Sequence, residues 1–77
     1  MTADAGSLKK RSLTIAGHRT SISLEKEFWD ALRELAARRG LSVAALVAQI
    51  DAGRGDVNLS SALRVALLRD AQTRATS

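Results

Sequence analysis

The sequence has no cysteine, which removes disulfides, thiolate zinc sites and cysteine nucleophiles together. A single histidine, His18, leaves too few imidazole ligands for a histidine-based metal site. Aromatics are scarce, with one Trp, one Phe and no Tyr, so aliphatic side chains must supply most of the core. No run approaches the roughly 18 apolar residues that a membrane span needs, and no membrane partner is expected. No apolar stretch follows the basic triplet Lys9-Lys10-Arg11, so no secretory leader is read there and a cytoplasmic location is expected. What is present is 77 residues, 45% hydrophobic and 26% charged, with a formal charge of +4. That describes one small domain with a bias toward polyanions. A domain this short buries only about 60% of the surface its unfolded chain exposes. With disulfides and metals removed, a second protein chain is the expected source of further stability.

Residues 1–11 read as a disordered basic tail, residues 12–72 as the folded domain and residues 73–77 as a second tail. Ser12 to Leu24 reads as strand, because Leu13 and Ile15 alternate with Ser12 and Thr14, and Ile22 and Leu24 alternate with Ser21 and Ser23. The parity of the apolar positions changes between the two stretches, so one unbroken strand would split them between opposite faces. A two-residue turn at Gly17-His18 restores a common face, pairing Ile15 with Thr20, Leu13 with Ile22 and Thr14 with Ser21. Gly at the first turn position suits a type II′ hairpin.

Three helices are expected. The first runs from about Glu25 to Arg39, with Phe28, Leu32, Leu35 and Ala36 as its apolar stripe and Trp29 and Ala31 beside it. Acids in its first turn and arginines in its last match the helix dipole, and Gly40 is the stop. Ser42 caps a second helix from about Val43 to Ala52, carrying Val43, Leu46, Val47 and Ile50 on one face. Gly53-Arg54-Gly55-Asp56 breaks it and reads as a loop. The third helix runs from about Leu59 to Ala71, capped by Asn58 or Ser60, with Leu63, Ala66 and Leu67 as its stripe.

The run RTSISLEKEFWDALRELAARRGLSVAALV, Arg19 to Val47, resembles the ribbon-helix-helix superfamily of small bacterial DNA-binding repressors of the Arc/MetJ kind. The resemblance lies in a short alternating strand, an acidic helix start, an apolar helix and Gly40-Leu41-Ser42 opening the next helix. It implies a mainly α fold with a short β-ribbon, built as an intertwined homodimer. Its expected function is that of a transcriptional regulator, a repressor of bacterial type. One strand from each chain would form a ribbon lying in the major groove of double-stranded DNA. Arg19, Ser21 and Ser23 would face the bases, an arginine being able to hold guanine through two hydrogen bonds. Backbone amides near Leu41, Ser42 and Val43 would hold phosphate at a helix N-terminus, and Lys9, Lys10 and Arg11 would add phosphate contacts. The shared dimer core would comprise Ile22, Leu24, Phe28, Trp29, Leu32, Leu35, Leu46, Val47 and Ile50.

Each of these residues also has a plainer reading. Arg19 fits a solvated strand charge, Ser21 and Ser23 a polar outer face, and the basic triplet a solubilising tail. Trp29 and Phe28 suit a core better than base stacking, and His18 suits a turn. Two features depart from the resemblance. An extra strand in each chain would make a four-stranded sheet, three gaps of about 4.8 Å, too broad to lie flat in a groove about 12 Å wide. The third helix is also additional, and it offers a surface for a separate protein partner. The alternative function is therefore a dimeric protein-interaction module, antitoxin-like or an adaptor, without sequence readout. No enzyme and no cofactor are expected. The carboxylates Glu25, Glu27, Asp30 and Glu34 sit among Lys26 and Arg33 in an ion-pairing pattern, and Gly53 and Gly55 follow a helix rather than a strand.

Overall fold

A computed structural model of the chain describes residues 8–76; the expected N-terminal tail over residues 1–7 and the terminal Ser77 lie outside the described residues. The order is β1 (Leu8–Ile15), β2 (His18–Glu25), α1 (Lys26–Arg38), α2 (Val43–Gly53) and α3 (Leu59–Thr76). The two strands form one antiparallel hairpin.

The hairpin turns at Ala16-Gly17, not at Gly17-His18. Ile15 pairs with His18, Leu13 with Thr20, Arg11 with Ile22 and Lys9 with Leu24. His18 is therefore the first residue of β2 rather than a turn residue. Both turn residues have positive φ, 52° at Ala16 and 84° at Gly17, the signature of a type I′ turn rather than II′. The register differs from the expected one by two residues. Because side chains alternate with a period of two, a shift of two leaves every residue on its expected face. Ile15, Ile22 and Leu24 are buried on one face, and Ser12, Thr14 and Ser21 are exposed on the other. Ala16 bears the local strain, since a left-handed conformation costs a non-glycine residue roughly 1–2 kcal/mol. Ala16→Gly is accordingly expected to stabilise the fold by about 0.5–1 kcal/mol, the gain being reduced by the freer unfolded chain. Thermal unfolding checks it, and a lower melting temperature would place the turn elsewhere.

Strand β1 begins at Leu8, so the basic triplet Lys9-Lys10-Arg11 is paired strand and not tail. The reason is a distant one. Trp29 is 2% exposed, its indole N–H donates to the Lys9 carbonyl at 2.8 Å, and the Arg11 guanidinium lies 5.5 Å from the indole centroid. The indole thus ties the front of β1 to α1 while placing a cation over its face.

Helix α1 buries Trp29, Leu32, Leu35 and Ala36, so Trp29 sits in the stripe and Phe28 at its margin, the reverse of the expectation. The helix ends in a Schellman arrangement. The N–H of Leu41 donates to Ala36 O at 2.9 Å and that of Gly40 to Ala37 O at 3.1 Å, with Gly40 at φ 69°. The Ser42 hydroxyl accepts from the Ala45 N–H at 3.0 Å and caps α2. Of the two cap candidates for α3, Asn58 is the one used: its Oδ1 accepts from the Ser61 N–H at 3.2 Å.

Helix α3 continues to Thr76, through the segment expected to be tail. Asp70 is what extends it. Its carboxylate takes Arg38 of α1 at 2.8 Å and Arg74 of its own last turns at 3.0 Å. Arg38, then Arg74, hold the Asp70 carboxyl below its ordinary value of 3.8. A carboxyl lowered in the folded state stabilises fully above its unfolded value, and that contribution is lost as pH falls. Acid unfolding below about pH 4 is therefore expected to be shallower in Asp70→Asn than in the parent chain, read by circular dichroism; identical acid limbs would remove the cluster from the account.

The core comprises Ile15, Ile22, Leu24, Trp29, Leu32, Leu35, Ala36, Leu46, Val47, Leu63 and Leu67, none more than 6% exposed. Most of the residues expected to form a shared dimer core are thus already out of water within one chain, with Phe28 and Ile50 packed against them at the margin. Ile15 of β1 and Leu63 and Leu67 of α3, outside that expected set, complete the interior within the chain.

Candidate nucleic-acid interface

The hairpin register defines a polar face. Cross-strand partners share a face, so Lys10 opposite Ser23, Ser12 opposite Ser21 and Thr14 opposite Arg19 point away from the buried set. Two contacts run across it: Ser12 Oγ lies 3.3 Å from Ser21 Oγ, and Arg19 Nη1 donates to Thr14 Oγ1 at 3.5 Å. All six side chains carry hydrogen-bonding groups. Only Ser23 is partly buried; the rest are exposed.

This face gathers Arg19, Ser21 and Ser23, the three residues expected to meet bases, and it adds Lys10, Ser12 and Thr14. The last three are legible in principle, since parity counted back from Ile15 and Leu13 puts every even position of β1 outward. The basic triplet is divided by the same alternation. Lys10 joins the polar face, whereas Lys9 and Arg11 share the side of Ile22 and Leu24, with Arg11 laid over Trp29.

At the helical end of the ribbon, Glu25 is the one acid of β2. Arg64 of α3 donates to its Oε1 through Nε at 3.1 Å and Nη2 at 3.0 Å. The Glu25 carboxyl is held below its ordinary value, first by a main-chain hydrogen bond at Glu25 and then by Arg64. The pairing offsets the acid's charge beside a surface otherwise carrying Lys10 and Arg19. The edge of β2 is also engaged there, since Ser60 Oγ donates to the Ser23 carbonyl at 3.2 Å.

The expected phosphate clamp is altered. The Leu41 N–H is taken by Ala36 O and the Ser42 hydroxyl by its cap. The first amides of a helix have no intrahelical acceptor, which leaves the main-chain N–H groups of Ser42, Val43 and Ala44 as the donors at the start of α2. Among the described residues no group of His, Asp or Glu side chains is arranged to hold a metal ion, and no helix is long and apolar enough to cross a membrane.

A two-stranded ribbon on a helical bed, with a polar outer face and a capped helix start at Gly-x-Ser, defines a class of small β-ribbon domains. A model of the ribbon-helix-helix domain matches residues 8–71, and the chain belongs to that family. Members of the family are generally DNA-binding transcription regulators or antitoxins, typically non-enzymatic. The chain is also similar to a solved structure, that of an uncharacterized protein from Bordetella pertussis Tohama I. The two share 35% identity with a TM-score of 0.79, over 99% of this chain and 65% of that one. This chain therefore spans less than two-thirds of that relative's length. No functionally curated protein matches it.

Proposed function

We propose that the protein is a homodimeric DNA-binding regulator that reads the major groove with the polar face of its own β1–β2 hairpin. The observation that carries this reading is the register: it puts Lys10, Ser12, Thr14, Arg19, Ser21 and Ser23 on one face, whose single acid, Glu25, stands at the helical end and is held by Arg64. Family membership supports it, since these domains usually form dimers that bind DNA. So does the formal charge of +4. A single hairpin is two strands wide, about 4.8 Å between axes, and fits a groove about 12 Å across. The breadth problem of a four-stranded sheet does not arise when each hairpin acts alone. Arg19 is the residue for guanine, Lys10 the second cation on the face, and Val43 and Ala44 the amides for phosphate at the start of α2. In this reading the two subunits associate as folded units, because each already has a closed core, and the site of action is the cytoplasm.

The test is an electrophoretic shift on fragments of the source genome across rising salt. Affinity is expected to fall on the order of 10³-fold between about 50 and 200 mM salt, as several phosphate contacts release counterions. Absence of any shift at low salt would remove DNA from the reading and leave the protein-interaction module, which the exposed apolar residues of α3 favour.

A further inference from the structure

Helix α3 has a second face that the domain does not use. Ser61, Val65, Leu68, Gln72 and Ala75 follow one another at spacings of four and three, the spacing of a seam that meets another helix, and all five are exposed. Val65 is 43% exposed and Leu68 56%, and Val57 beside them is 51% exposed. Isolated exposed aliphatics are ordinary, but a contiguous set along one helix marks a contact surface. A groove runs on either side of this ridge, each of about 410 Å³. One lies toward α1 over Phe28, Ala31 and Ala71, and the other toward α2 over Ile50, Gly53 and Ala66. A ridge between two grooves is the shape that an incoming helix packs against.

Charge decides what kind of helix. The groove toward α2 is lined by Arg54 and Arg69 and by no carboxylate. Arg54 is held by Asp51 at 2.6 Å, whereas Arg69 is exposed and has no ion pair among the described residues. The groove on the other side of the ridge has Arg64, already held by Glu25, and Glu27 on its lining, so the unpaired cation lies on the α2 side. A second copy of α3 would bring its own Arg69 to this seam and set like charge against Arg69, whereas a carboxylate there meets Arg69 without displacing an existing partner.

We propose that the outward face of α3 docks an amphipathic helix of a different protein, whose aliphatic seam is bordered by Asp or Glu. The site is remote in sequence from the ribbon and makes a regulator able to carry a second protein to its DNA.

The experiment titrates the isotopically labelled full chain with two synthetic helical peptides that share one Leu/Ala seam, one bordered by Glu and the other by Lys. The Glu peptide is expected to shift the amide resonances of Val57, Val65, Leu68 and Arg69 and to bind at least about tenfold more tightly than the Lys peptide. Leu68→Glu, an exposed position, is expected to abolish that binding while leaving the thermal melt and the DNA shift unchanged. Arg69→Ala is expected to remove the preference for Glu over Lys while keeping the fold. Equal binding of the two peptides, no binding of the Glu peptide, or shifts confined to another surface would overturn the proposal. So would a dimer in sedimentation that Leu68→Glu converts to monomer, which would make the ridge a self-contact, or a loss of DNA affinity in Leu68→Glu or Arg69→Ala. The DNA reading fails separately, through the ribbon variants.

Discussion

Trp29→Ala is expected to destabilise the fold by about 3–5 kcal/mol. A domain of this size has a total stability on the order of 4–12 kcal/mol, so the variant stands at or near the threshold of folding. Three losses combine. The indole leaves a cavity where it is 2% exposed, the Lys9 carbonyl loses the donor at 2.8 Å, and Arg11 loses the ring beneath it. The last two act on β1, so the front of the hairpin is freed along with the core. Trp29→Phe separates the effects. It keeps most of the apolar volume, removes the N–H donor and is expected to cost about 1–3 kcal/mol. Urea unfolding followed by far-UV circular dichroism measures both, since the chain's one Trp is itself replaced and cannot report by fluorescence. A Trp29→Ala protein as stable as the parent would mean that the indole does not anchor β1.

The second large effect concerns the ribbon. Arg19→Ala is expected to weaken binding to the preferred duplex by about 1–3 kcal/mol, on the order of 5- to 150-fold, and to flatten the preference at one base pair. The Arg19 side chain is exposed and its hydrogen bond to Thr14 is long, at 3.5 Å, so removing it leaves the fold intact. Lys10→Ala should weaken binding more evenly across sequences and reduce the salt slope by about one unit, as a phosphate contact does. Affinity measured on a panel of single-base variants of one duplex distinguishes the two. If Arg19→Ala leaves affinity and base preference unchanged, the polar face is not what reads the DNA.

The faces of the hairpin are legible from Leu13, Ile15, Ile22 and Leu24 alone, because alternation fixes which side is buried. The register is not, because a shift of two residues leaves that alternation unchanged, and the turn adopted strains Ala16 where Gly17-His18 offers glycine first. Local pattern also misreads Lys9, Lys10 and Arg11, three charges in a row that look solvated. Their pairing as strand rests on Trp29, twenty residues away in sequence. The end of α3 is similar: Thr73 to Thr76 look like tail, and the carboxylate that holds them is Asp70, bridged to Arg38 across the domain. By contrast, Gly40-Leu41-Ser42 carries its structure locally, one residue for the left-handed stop and one for the next cap. The amide of Leu41 looks free for phosphate because sequence does not show that the stop itself uses that N–H. Helix α3 looks like an addition and in fact completes the interior with Leu63 and Leu67.

The central claim is that the hairpin's outward face, formed within one chain, is the surface that meets DNA. Titrating labelled protein with a bound duplex and following backbone amide resonances tests it residue by residue. Lys10, Ser12, Thr14, Arg19 and Ser21 are expected to shift first and furthest, with Val43 and Ala44 following at the start of α2. Unmoved ribbon resonances, with the shifts gathered on α3 or on the α2–α3 loop, would contradict it.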